Sequence, residues 1–173
     1  TWFRTPGNNS ATQVLAVWRP EGSGGDYFLL SVRDDGRLRF LHRVPAGSSG
    51  GTDVFTTAPS SGGTDYNDDQ WHHVAAAYDD ATDTMTLYVD GSAVATGTAD
   101  DPIAADVDVV LGSLGSARWL NGAMDQARIW NAALTEAEIR ERMHRTIAPE
   151  DAASGDLIAS YRFDTGTGTT AYD

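Results

Sequence analysis

The sequence predicts an all-β protein: a two-sheet antiparallel sandwich of the jelly-roll kind, with one short surface α-helix near residues 135–146. Three observations lead there. Short segments alternate apolar and polar residues along most of the chain. Gly, Asp, Asn, Ser or Pro closes each segment, at a spacing of roughly 8–12 residues. Finally, 20 of the 25 acids are Asp, a turn residue, and only five are Glu, a helix residue.

The elements follow in order. Gln13–Trp18 reads as a strand. From Asp26 to Arg33, Tyr27, Leu29 and Ser31 face one way, and Phe28, Leu30 and Val32 the other. Asp34-Asp35-Gly36 then turns the chain into Arg37–Leu41, which makes a hairpin. Val54–Thr57 and Gln70–Tyr78 are further strands. In Thr84–Val89 the apolar Met85, Leu87 and Val89 share a face, which leaves Thr84, Thr86 and Tyr88 on the wet or ligand-facing side. Asp90-Gly91 turns this strand into Ser92–Thr96. Strands at Val107–Gly112, Met124–Trp130 and Leu157–Phe163 complete the set.

The helix breaks the pattern. Thr135 and Glu138 form a capping box, and Leu134 with Ile139 forms a hydrophobic staple. Ile139, Met143 and Ile147 mark one face, and Pro149 ends the run.

Composition excludes several functions. The chain of 173 residues carries a net charge of −13, and all its basic residues are Arg. That balance argues against nucleic acid and against an anionic membrane surface, because phosphate binding needs clustered cations. With no cysteine there are no disulfides, thiolate metal sites or cysteine nucleophiles. No apolar run reaches the ~20 residues a membrane-spanning helix needs, so membrane insertion is not expected. Glycoside hydrolysis needs two carboxylates about 5–10 Å apart. No Glu lies between Glu21 and Glu136, and Glu136 and Glu138 sit in a helix start where capping explains them. The expectation is a protein that is not an enzyme. His72 and His73 are adjacent on a strand and point to opposite faces, so they cannot share one ion.

Trp71-His72-His73-Val74-Ala75, then Tyr78-Asp79, then Leu87-Tyr88-Val89-Asp90-Gly91 resemble the core motif of laminin-G-like jelly-roll domains, in the concanavalin A-like lectin/glucanase group. Leu111-Gly112, the segment Asn121–Trp130 and Leu134–Ile139 are similar to later motifs of the same family, in the same order. The segment Gly155–Asp164, with Gly166, Gly168 and Tyr172-Asp173, resembles the family's opening strand, yet it stands at the C-terminus. The expected organisation is a jelly roll over residues 1–148 with N-terminal strands missing, a linker at 149–155, and a strand segment at 156–173. That last segment pairs within its own domain or begins a following repeat.

The resemblance implies a non-catalytic extracellular binding or adhesion module of a larger surface protein, with a glycan or an extracellular protein as partner. One alternative is a structural repeat of a surface filament whose copies join through Leu157–Phe163. A second is a module associated with a glycoside hydrolase. The resemblance also implies Ca²⁺ as a cofactor at Asp125, and the loop acids Asp34 and Asp68 are further candidate ligands, since oxygen donors suit calcium. Their competing reading is a set of turn-formers. Sugar recognition needs an aromatic platform beside polar partners. The aromatics expected outside the core are Tyr66, Tyr88 and Trp119, with Tyr27; Trp2, Trp18, Trp71 and Trp130 are expected inside it.

Overall fold

In the computed structural model, residues 1–7, 11–20, 26–43, 50–99, 107–147 and 155–164 are described. The strands are β1 (Trp2–Arg4), β2 (Gln13–Pro20), β3 (Tyr27–Val32), β4 (Leu38–Arg43), β5 (Gly51–Phe55), β6 (His72–Asp79), β7 (Thr84–Val89) and β8 (Ser92–Thr98). They are followed by β9 (Val107–Leu111), β10 (Ala123–Asp125), β11 (Ala127–Trp130), the helix α1 (Glu136–Arg142) and β12 (Leu157–Tyr161). One five-stranded sheet has the order β10-β1-β6-β7-β8 and faces a second with the order β5-β4-β3-β2-β9. Strand β12 pairs antiparallel with β11 in the same chain, Ala127 opposite Tyr161. The strand predicted over Met124–Trp130 is two strands, because Gln126 takes a left-handed φ of 49° and breaks the run.

Alternation places the core. Phe3, Leu15, Leu30, Val32, Leu38, Phe40, Val74, Met85 and Leu87 interdigitate between the sheets, each at most 3% exposed. The second sheet is also covered on its far side, where Val14, Val17, Leu29 and Leu41 form a smaller buried cluster. Hence β3 reads as apolar on both faces, as a central strand should.

The aspartates mostly build turns. The carboxylates of Asp35, Asp65, Asp68 and Asp79 each accept the backbone N–H two residues on, from Arg37, Asn67, Gln70 and Ala81. These Asx turns are why so many Asp residues suit a protein of many short strands. Between β7 and β8, Asp90 (φ 48°) and Gly91 (φ 79°) both adopt left-handed backbone, the geometry of a tight two-residue hairpin.

The helix is shorter than the 135–146 expected, and its start is as read. The Thr135 hydroxyl accepts from Glu138 N–H at 3.3 Å, and Glu138 Oε2 accepts from Thr135 N–H at 2.9 Å. Beyond the cap, the Glu136 carboxylate accepts from Ala93 N–H at 2.9 Å, and Arg140 donates to Gly91 O at 3.1 Å, docking α1 on the β7–β8 turn. Thr135→Ala should lower the unfolding free energy by about 1 kcal/mol, read as a reduced urea midpoint with an unchanged slope.

Candidate functional site

Four separate segments converge on an open cleft of about 290 Å³ at one end of the first sheet. Strand β1 supplies Trp2, the residue before β6 supplies Trp71, the β10–β11 junction supplies Asp125 and Gln126, and the segment after α1 supplies Met143 and His144. Register explains the first pairing, because Trp2 stands opposite both Asp125 and His73.

The walls are held in place. Trp2 Nε1 donates to Met143 O at 2.9 Å, and its ring meets His73 edge-on at 5.4 Å and His144 at 5.2 Å. Asp125 Oδ1 accepts from the Gln126 N–H at 2.8 Å, which fixes the left-handed break. Gln126 Oε1 accepts from Arg128 Nη2 at 2.7 Å. Trp71 is different: it is 45% exposed, with the Arg4 guanidinium 5.6 Å over its ring and Arg4 near Asp69 at 3.6 Å. An indole face presented to solvent beside a carboxylate, a carboxamide and an imidazole is suited to stack on the apolar face of a sugar ring while polar groups meet its hydroxyls.

His73 lies beneath this cleft and stays neutral. Burial first, then the N-terminal ammonium, Arg128 and His144, lower its pKa from 6.5 to about 2. The Thr1 amino group is lowered from 8.0 to about 5, by burial and then by Arg128. Both are bases depressed by folding, so the unfolded chain binds more protons across these windows. Stability is therefore complete above about pH 8. It falls as pH drops, first through the amine and then, below 6.5, through the histidine. Unfolding at pH 5 should cost on the order of 2 kcal/mol less than at pH 7, checked by urea titration at the two pH values.

Several expectations change here. Tyr66 is 7% exposed and belongs to the core, edge-on to His72 at 5.0 Å. Tyr88 is 9% exposed; its cross-strand neighbour Ala93 lies under the start of α1, so that face is not open. Neither offers a platform. Trp119 is 64% exposed in the connection between β9 and β10, away from the cleft's lining. Trp71, expected in the core, is the cleft's exposed ring. The sequence carried a signal for it: Trp71 shares strand parity with His73, on the face opposite Val74 and the core.

The candidate calcium ligands are not brought together. Asp34 is in the β3–β4 turn near Arg33 at 3.6 Å, and Asp68 accepts from Gln70 N–H while meeting His72 Nε2 at 3.2 Å. Only Asp125 lines the cleft, with one oxygen already on its own backbone. Among the described residues no group of three or more His, Asp or Glu side chains could hold a metal ion. That donor set does not fit a resident calcium of the usual six to eight oxygens.

The Laminin_G_3 family of the concanavalin A-like lectin/glucanases superfamily matches residues 1–140, and the chain belongs to that family. Its fold is shared with solved structures of low sequence identity. One is a Bacteroides ovatus protein proposed to bind carbohydrate, at TM-score 0.67 and 21% identity over 98% of this chain; the chain spans 46% of that protein. Another is the CBM40 of the Ruminococcus gnavus IT-sialidase bound to α2,3-sialyllactose, at TM-score 0.63 and 18% identity, covering 81% of this chain and 78% of that one. A third is a SAP-like pentraxin from Limulus polyphemus, at TM-score 0.55 and 18% identity, covering 80% and 66%. No curated protein sequence matches the chain.

Proposed function

We propose that this chain is a non-catalytic, extracellular carbohydrate-binding module of a larger protein, and that it seats a pyranose ring on Trp71. The observation that carries this reading is the exposed Trp71 ring at a cleft it shares with Asp125, Gln126 and His144. Two neighbours in fold carry carbohydrate binding in their descriptions, which supports the same class of ligand. The cleft is shallow and has one exposed platform, so affinity should be modest, with Kd of about 0.1–1 mM for a short oligosaccharide. Glu136 and Glu138 are engaged on Ala93 and Thr135, in keeping with capping. The joining of copies through Leu157–Phe163 is the less favoured reading, because β12 already pairs with β11 of its own chain.

A glycan panel followed by calorimetric titration tests the proposal. Trp71→Ala should weaken binding at least about tenfold, while Trp119→Ala leaves it unchanged. A calcium chelator should leave it unchanged as well; a loss on chelation would assign an ion to Asp125. If no glycan binds, or if Trp71→Ala binds like the parent, the assignment fails.

A further inference from the structure

A second, larger cleft of about 890 Å³ opens between β6 and β11. Consecutive residues of both strands line it, from Val74 to Ala81 on one side and from Ala127 to Leu134 on the other. Its floor is apolar and comes from the opposite sheet, including Trp18, Phe28, Leu30 and Phe40. The cleft is the continuation of a lane already occupied. Strand β1 lies between β10 and β6 at Trp2 and Phe3, and stops at Thr1, while β6 runs on to Asp79 and the chain of β10 runs on into β11.

The backbone of β6 faces this lane. Val74 N–H donates to Thr1 O at 2.9 Å, and the Thr1 amino group donates to Val74 O at 3.1 Å. With a period of two, Ala76 and Tyr78 present their N–H and C=O groups to the same edge, beyond the reach of β1. Side-chain parity adds a second constraint. Positions paired with Ala76 and Tyr78 point between the sheets, where the small Ala76 leaves room above Phe28 and Leu30.

We propose that this cleft is a strand-accepting slot, filled by an extended segment of about five residues, apolar at alternate positions, that is joined to Thr1 and runs antiparallel to β6. A rounded apolar ligand would fill the floor and leave the β6 edge unpaired; an extended backbone satisfies both. The joined source follows from the lane itself, since a free strand would have to end against the buried Thr1 amine. A peptide N–H at that position makes the same bond to Val74 without burying a charge.

Amide exchange by NMR tests this on the chain as it stands and on a version prefixed with Thr-Leu-Thr-Val-Thr, whose Leu and Val fall opposite Tyr78 and Ala76. In the parent chain the Ala76 and Tyr78 amides should exchange fast. The prefix should slow them by on the order of 100-fold and raise the melting midpoint by about 5 °C. A prefix with Asp at the two inward positions should do neither. If the apolar prefix leaves Ala76 and Tyr78 unprotected, the slot is refuted; if only the free pentapeptide protects them, the joined source is refuted.

Discussion

Phe3→Ala should remove about 3–5 kcal/mol of stability, the largest effect of any single side chain considered. Phe3 is fully buried at the middle of β1, the short strand that ties β10 to β6. Its ring is in the inter-sheet core with Val74, Met85 and Leu87, and it meets His72 at 5.9 Å. Three residues of β1 give the backbone little room to collapse around the void, so the cavity cost adds to the lost transfer energy. Against a total of about 5–15 kcal/mol for a domain, much of the protein would be unfolded at 37 °C. A urea titration reads this directly, and Trp119→Ala, at an exposed ring, should stay within about 0.5 kcal/mol of the parent.

Arg128→Met should cost about 2–4 kcal/mol and weaken sugar binding as well. The Arg128 guanidinium donates Nη1 to Arg142 O, and Nη2 to Arg145 O at 2.6 Å and to Gln126 Oε1 at 2.7 Å. It thus caps the carbonyls at the end of α1, where the helix dipole favours a cation, and pins that end to β11. Met143 and His144 lie between the two carbonyls it holds and line the Trp71 cleft. Losing the fork frees that wall, so the fall in glycan affinity should exceed what the unfolded fraction explains. Arg128→Lys should recover only part of both losses, because an ammonium cannot hold three acceptors in one plane. Equal affinity in Arg128→Met and parent would separate the helix end from the cleft.

Most of the sandwich was legible because alternation and turn chemistry are local. The Tyr27–Val32 and Thr84–Val89 strands, the Asp90-Gly91 turn and the Thr135 cap follow from neighbours in sequence, and the structure holds them where they were expected. The exceptions share a cause, which is tertiary cover or a backbone twist with no residue signature. Tyr66 lies in a loop, yet its carbonyl accepts from the buried Thr5 hydroxyl at 2.9 Å and its ring enters the core. Tyr88 has the parity of an open face, and only the docking of α1 beside Ala93 closes it. Gln126 breaks a strand by a left-handed turn that glutamine does not announce. The Asp residues that suggested calcium are mostly bound to their own turns, which composition cannot distinguish from a ligand set. Trp71 was readable after all, from the same alternation that separates His72 from His73.

The central claim is that saccharide sits on Trp71, in the cleft bounded by Trp2, Asp125, Gln126 and His144. Its most direct test is NMR shift mapping as the best-binding oligosaccharide from the panel is titrated into ¹⁵N-labelled protein. The account predicts that the Trp71 indole N–H and the amides of Gln126 and His144 move together, with one dissociation constant, while the Trp119 indole N–H stays still. Shifts gathered on Trp119 and its loop, with Trp71 unmoved, would contradict it.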